Sequence, residues 1–106
     1  MSTASYNLTI EAGTTFRRTL RFYQDAERTV PVDLTGFAIA ACMLRNMRRI
    51  EFTAEITDDV GGEAEISLAP NQTANAPVGV YAWDLLLRAP SGSIEKTFKG
   101  SVTLND

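Results

Sequence analysis

The stretch Glu51-Phe-Thr-Ala-Glu-Ile-Thr-Asp-Asp-Val-Gly-Gly-Glu-Ala-Glu-Ile-Ser-Leu68 decides the fold. Phe52, Ala54 and Ile56 alternate with Glu51, Thr53 and Glu55; Ala64, Ile66 and Leu68 alternate with Glu63, Glu65 and Ser67. Alternation of this kind puts the apolar side chains on one side of an extended chain and the carboxylates on the other. A helix, with about 3.6 residues per turn, would scatter both sets around its surface. Between the two runs, Asp58-Asp-Val-Gly-Gly62 has the composition of a tight turn. The stretch reads as a β-hairpin with one dry face and one wet face.

The same pattern extends in both directions. Tyr6, Leu8 and Ile10 alternate with Asn7 and Thr9 before Ala12-Gly13. Phe16, Leu20 and Phe22 share a face opposite Arg17, Thr19 and Arg21. Arg18 falls on the apolar side, where it must snorkel, pair with an acid or lie near an edge. Gln24 to Val32 is charged and aperiodic, and Pro31 stops any continuing ladder. Asp33-Leu-Thr-Gly36 reads as a tight turn, and Phe37, Ile39, Ala41 and Met43 as the core face of a third strand. Asn46 to Arg49 reads as a basic reversal. Pro70 to Pro77 is a polar connection with room for one helical turn around Gln72 to Asn75. Tyr81, Trp83, Leu85 and Leu87 line the next strand, and Pro90-Ser-Gly92 turns the last hairpin. Ile94, Phe98, Val102 and Leu104 lie on even positions of the final strand. Gly100 shares them and marks a bulge or the close approach of another backbone.

The chain of 106 residues has the size of one domain. It is expected to be all-β: an immunoglobulin-like two-sheet antiparallel sandwich of about seven strands, with a barrel as the alternative. The domain spans 1–106, with 1–4 as a flexible N-terminal arm. Met1 to Ser5 lacks the basic and apolar regions of a signal peptide. The longest apolar run, Phe37 to Leu44, is far shorter than the roughly 20 residues of a spanning helix. Synthesis in a cytoplasm, without a membrane partner, is the expectation.

Composition narrows the chemistry. Ten basic and 13 acidic side chains give a net charge of −3, which disfavours duplex nucleic acid as a partner. No histidine is present, so the commonest general base and metal ligand are missing. Cys42 is the one cysteine; it cannot close an intrachain disulfide, and lying in an apolar run it reads as an inert thiol. No serine sits in a nucleophile elbow, and Gly61-Gly62 is a hairpin signal rather than a phosphate loop. Asp58, Asp59, Glu63 and Glu65 are the best carboxylate cluster for a metal such as calcium. They match no calcium-loop spacing and read as the solvated side of a hairpin rather than as a metal site. No cofactor and no catalytic residue is expected.

One strand departs from the plan of a monomer. On Phe37 to Leu44 the second face, Ala38, Ala40, Cys42 and Leu44, is apolar as well. Either a loop such as Pro70 to Pro77 covers it or another subunit does, since contiguous exposed apolar patches mark contacts. Leu86, on the otherwise polar side of the Trp83 strand, extends the patch. Eight of the ten basic residues are arginine, the type suited to interface ion pairs. Arg45, Arg48 and Arg49 around the reversal either pair with Glu51 and Glu55 or form a docking patch for an acidic partner. The candidate interface is therefore Ala38, Ala40, Cys42, Leu44, Leu86, Arg45, Arg48 and Arg49.

The order Tyr6-Asn-Leu-Thr-Ile-Glu-Ala-Gly13, Leu20-Arg-Phe22, Val32-Asp-Leu-Thr-Gly-Phe37 and Gly79-Val-Tyr81 resembles small immunoglobulin-like domains of tailed-bacteriophage virions. The similarity is to the N-terminal module of baseplate upper proteins, and it covers Tyr6 to about Leu104. It implies a non-enzymatic virion protein, assembled with other phage structural proteins and copies of itself in a tail, baseplate or neck. Members of that group often carry the module on a longer chain, so receptor binding by further domains is not expected here. Asp25-Ala-Glu-Arg28 replaces the usual Asp-Gly hairpin and is expected to make contacts of its own. Two alternatives stand beside this reading: a capsid decoration protein, and a carbohydrate-binding sandwich using Trp83 or Tyr81 as an exposed platform.

Overall fold

Alternating side chains become two sheets in the computed structural model, which describes residues 4–24, 27 and 29–106. The strands are β1 (Ala4–Ser5), β2 (Leu8–Glu11), β3 (Phe16–Arg21), β4 (Ala38–Arg45), β5 (Arg48–Glu51), β6 (Thr53–Asp58), β7 (Glu63–Leu68), β8 (Gly79–Arg88) and β9 (Ile94–Asn105). One short helix, α1 (Pro70–Asn75), occupies the polar connection. The larger sheet runs β1–β9–β8–β4–β5, with β2 also on β9, and the smaller runs β3–β7–β6. Two separate sheets make this an immunoglobulin-like sandwich rather than a closed barrel.

Three expectations are corrected. The sheets are not purely antiparallel, because β1 and β2 both pair parallel with β9. Ala4, assigned to the arm, pairs with Phe98 in β1, while 1–3 lie outside the described residues. The basic reversal is also shorter than expected. Only Asn46 and Met47 turn, both with positive φ as a two-residue hairpin of the I′ kind requires. Arg48 and Arg49 belong to β5, paired with Arg45 and Leu44. The chain then changes sheets at Phe52, so one unbroken alternating run is divided between two layers. Phe52 fills the gap it crosses, 5.9 Å from the Phe16 ring and 6.2 Å from Trp83.

The core lies between the sheets. Leu8, Ile10, Leu20, Met43, Ile66, Leu85, Val102 and Leu104 are buried there, as their parity in the sequence requires. Trp83 and Tyr81 join them. The Tyr81 hydroxyl donates to the Pro77 carbonyl at 2.5 Å, pinning the α1–β8 connection to the start of β8. Thr73, fully buried on α1, accepts the Gly13 amide at 3.0 Å and donates to the Thr14 carbonyl at 2.9 Å. That anchors the helix to the β2–β3 turn. Asp33 accepts both the amide and the hydroxyl of Thr35, which holds its carboxyl below the usual carboxylate range.

Gly100 sits under the Tyr6-Asn7 link between β1 and β2, where an added Cβ would collide with the Tyr6 carbonyl. The sequence left a bulge or a close approach open at this residue. It is the close approach; the irregularity in β9 lies nearby, where Leu85 faces Phe98 and Leu86 faces Lys96 with Thr97 extra. Arg18 resolves its position on the apolar side near an edge. Its guanidinium lies 5.8 Å from the Tyr6 ring centre and 6.0 Å from that of Phe16, and it donates to the Tyr6 hydroxyl at 3.1 Å.

Two substitutions test this frame. Gly100→Ala should cost about 2–3 kcal/mol, because the Tyr6 backbone must move off β9 to admit the methyl. Tyr81→Phe should cost about 1–3 kcal/mol by stranding the Pro77 carbonyl. Urea unfolding followed by Trp83 fluorescence reads both, with an unchanged slope expected for each.

Candidate functional site

Side chains on the outer face of the larger sheet follow from its register. From β5 across to β9, one row is Glu51, Cys42, Asp84 and Lys99; the next is Arg49, Leu44, Ala82 and Ser101. Further along, Ala40 faces Leu86 and Leu86 faces Lys96, while Ala38 faces Arg88 and Arg88 faces Ile94. The small apolar residues of β4 and β8 thus run down the centre of the face, interrupted on β8 by Asp84 and Arg88, with Arg49 and Glu51 on one flank and Lys96 and Lys99 on the other. Ala38, Ala40 and Leu44 are exposed, Leu44 to 49%. The connection Pro70 to Pro77 does not cover them, because α1 is tied to the β2–β3 turn instead.

The flanking charges are arranged around a shallow depression of about 550 Å³. Cys42, Leu44 and Ala82 contribute apolar surface to it, and Arg49, Asp84, Lys96 and Lys99 line it too. Lys96 pairs with Asp84 at 3.4 Å, and Arg49 with Glu51 at 3.5 Å. Both pairs are largely exposed and contribute little stability. Lys99 forms no ion pair among the described residues.

The arginine cluster read from the sequence is split. Arg49 belongs to the outer face, but Arg45 and Arg48 fall on the opposite side of the β4–β5 ribbon. Arg45 donates to the Val78 carbonyl at 3.1 Å, and its guanidinium packs where Gly79 leaves room for it. Arg48 donates to the Asn75 carbonyl at 3.3 Å. These two hold the end of α1 and the approach to β8. Ala38, Ala40, Cys42, Leu44, Leu86 and Arg49 share one surface; Arg45 and Arg48 do not. Val80 and Ala82 also lie on that surface by parity on β8, and the sequence reading had passed over them. The period-two pattern that placed Leu86 places them as well.

Cys42 is half-buried at the centre of this surface. Burial pushes its thiol up, and the Asp84 carboxylate, 3.7 Å from Sγ, adds to the effect while Arg49 opposes it. A raised thiol has less thiolate at neutral pH and is a poor nucleophile. Three of the four carboxylates proposed for a metal are engaged locally: Asp58 accepts the Gly61 amide, Asp59 the Val60 amide, and Glu63 pairs with Arg21 at 3.3 Å, while Glu65 lies opposite Glu55. Among the described residues, no group of three or more His, Cys, Asp or Glu could hold a metal. Tyr81 and Trp83 are buried, 1% and 3% exposed, so neither ring offers a platform to a sugar. Most of the Asp25-Ala-Glu-Arg28 loop lies outside the described residues.

Fold and surface together define an immunoglobulin-like β-sandwich with an open, apolar and charge-flanked sheet face. No family model and no curated protein matches the sequence. Among solved structures, 36 chains match. One is the Listeria monocytogenes internalin-like protein lmo2027, at 18% identity and a TM-score of 0.52. The match covers 97% of this chain and 28% of that one, and it is a likeness of fold.

The thiol provides a check on the site. Alkylation of Cys42 should be slower than that of an unhindered cysteine at the same pH, with the midpoint of its pH profile above the ordinary thiol range. Asp84→Asn removes a charge that raises the thiol, so it should shift the midpoint down and speed alkylation at neutral pH. An identical profile in wild type and variant would contradict the electrostatic account.

Proposed function

We propose that the chain is a non-enzymatic structural component of a bacteriophage virion. In this reading it is an immunoglobulin-like adaptor or accessory module that joins tail, baseplate or neck proteins through the outer face of its larger sheet. The observation that carries the reading is the exposed strip of Ala38, Ala40, Leu44 and Ala82, flanked by Arg49, Lys96 and Lys99. An antiparallel sheet with a free face usually turns polar residues to water, so an apolar centre with a charged rim fits a docking surface. The phage setting is supported by the resemblance of Tyr6 to Gly13, Val32 to Phe37 and Gly79 to Tyr81 to virion modules. The non-enzymatic part is supported by a sequence without histidine and by a thiol held in its unreactive form.

Purified particles of the phage that encodes the chain should yield peptides of this sequence by mass spectrometry. Leu44→Glu, a change at an exposed position, should leave the domain folded and lower its incorporation severalfold. Particles that lack the protein altogether would refute the reading. A copy number on the order of hundreds would move the module to the capsid surface, whereas small multiples of the tail symmetry fit the adaptor role.

A further inference from the structure

The two broad faces of the sandwich carry opposite charge. Outside the larger sheet, Arg49, Arg88, Lys96 and Lys99 stand against Glu11, Glu51 and Asp84. Outside the smaller sheet and in its turn, Glu55, Glu63, Glu65, Asp58 and Asp59 stand against Arg17 and Arg21. The acidic face also holds a local conflict. Glu55 and Glu65 lie directly opposite each other on β6 and β7, where like charges destabilise a sheet. The next residue in that row is Thr19, and Arg21 is already engaged by Glu63. Neither Glu55 nor Glu65 makes an ion pair among the described residues, just as Lys99 makes none on the other face. At the tip of the same hairpin Val60 is 66% exposed, between the acidic residues and the glycines of the turn.

We propose that the β6–β7 hairpin of a second copy of this chain docks on the outer face of the larger sheet, joining copies head to tail. The inference rests on the reading of that face as a docking surface and names its occupant. The repulsion between Glu55 and Glu65 is relieved when Lys99 and Arg49 of the neighbouring copy approach. Val60 supplies the apolar group that covers Leu44 and Ala82. A face-to-face dimer through the larger sheet is the less favourable arrangement, because it sets four cations and three carboxylates against the same excess of positive charge. A head-to-tail contact leaves one unused face at each end of the assembly. It therefore propagates, closing into a ring or extending as a filament according to the rotation per copy.

Sedimentation of the purified protein tests the proposal. At low ionic strength the average mass should grow with concentration beyond a dimer. It should fall back toward the monomer near roughly 0.5 M salt, where charges separated by more than a few Å are screened. Two double variants at surface positions should each weaken self-association by about tenfold or more, with unfolding midpoints showing that both fold. Glu55→Lys with Glu65→Lys disables the hairpin; Leu44→Glu with Lys99→Glu disables the sheet face. Mixed together, the two proteins retain one working contact between them and should form a heterodimer and nothing larger. A wild-type protein that stays monomeric at every concentration overturns the proposal. So does a Glu55→Lys, Glu65→Lys protein that associates as the wild type does, which is the signature of face-to-face pairing. If the wild type is monomeric while Leu44→Glu is still excluded from particles, the self-contact falls and the docking role of the face stands.

Discussion

One hydrogen bond organises the interior: the Trp83 indole N–H donates to the Tyr6 carbonyl at 2.7 Å. Trp83 lies on the middle strand of the larger sheet, between Met43 of β4 and Gly100 of β9. Its ring meets Phe52 edge-on and stacks at 12° with Phe98, so it touches the crossing point between the sheets and the last strand together. An indole N–H buried among these rings would be costly without an acceptor. The acceptor is available only because Gly100 lacks a side chain and lets the Tyr6 backbone settle over β9. From there β1 and β2 continue in one register on either side of Tyr6 and Asn7, and the Asn7 side chain takes the Ser101 amide. The parallel first strand, the buried tryptophan and the glycine form one arrangement.

The change of sheet at Phe52 has a consequence for the surface. It sends β5 to the edge of the larger sheet and β6 to the edge of the smaller one, so Glu51 and Glu55 end on opposite faces of the molecule. Arg49 cannot then be matched with Glu55; it pairs with Glu51 along its own strand. The excess of carboxylate is left on the β6–β7 hairpin and the excess of cation on the opposite face. A chain of net charge −3 thereby becomes polar in the electrostatic sense. Fields of this kind steer association more than they hold a fold together.

The arginines at the β4–β5 hairpin show a second division of labour. Arg45 and Arg48 donate to the carbonyls of Val78 and Asn75 respectively, in the turn after the short helix and at its last residue. Together with the Tyr81 hydroxyl on Pro77, they fix the approach to β8. Arg49, one residue further along, points the other way because successive strand residues face opposite sides. Neighbours in sequence thus serve the frame and the surface separately.

Much of the fold was legible in the sequence, because period-two alternation is imposed by the geometry of an extended chain before any tertiary contact forms. The core residues, the Asp58 to Gly62 turn, the apolar outer face of β4 and the special position of Gly100 all followed from it. Alternation carries no information about which sheet a strand joins or the direction of its partner. The switch at Phe52 and the parallel pairing of β1 and β2 were therefore beyond its reach, whereas the separation of Arg49 from Arg45 and Arg48 follows from alternation once β5 is seen to begin at Arg48. Pairing depends on contacts between residues far apart in the chain: Tyr6 with Gly100 and Trp83, Phe52 with Phe16. By itself the sequence determined which side chains share a face; only the tertiary structure decided which faces meet each other and which remain open to a partner.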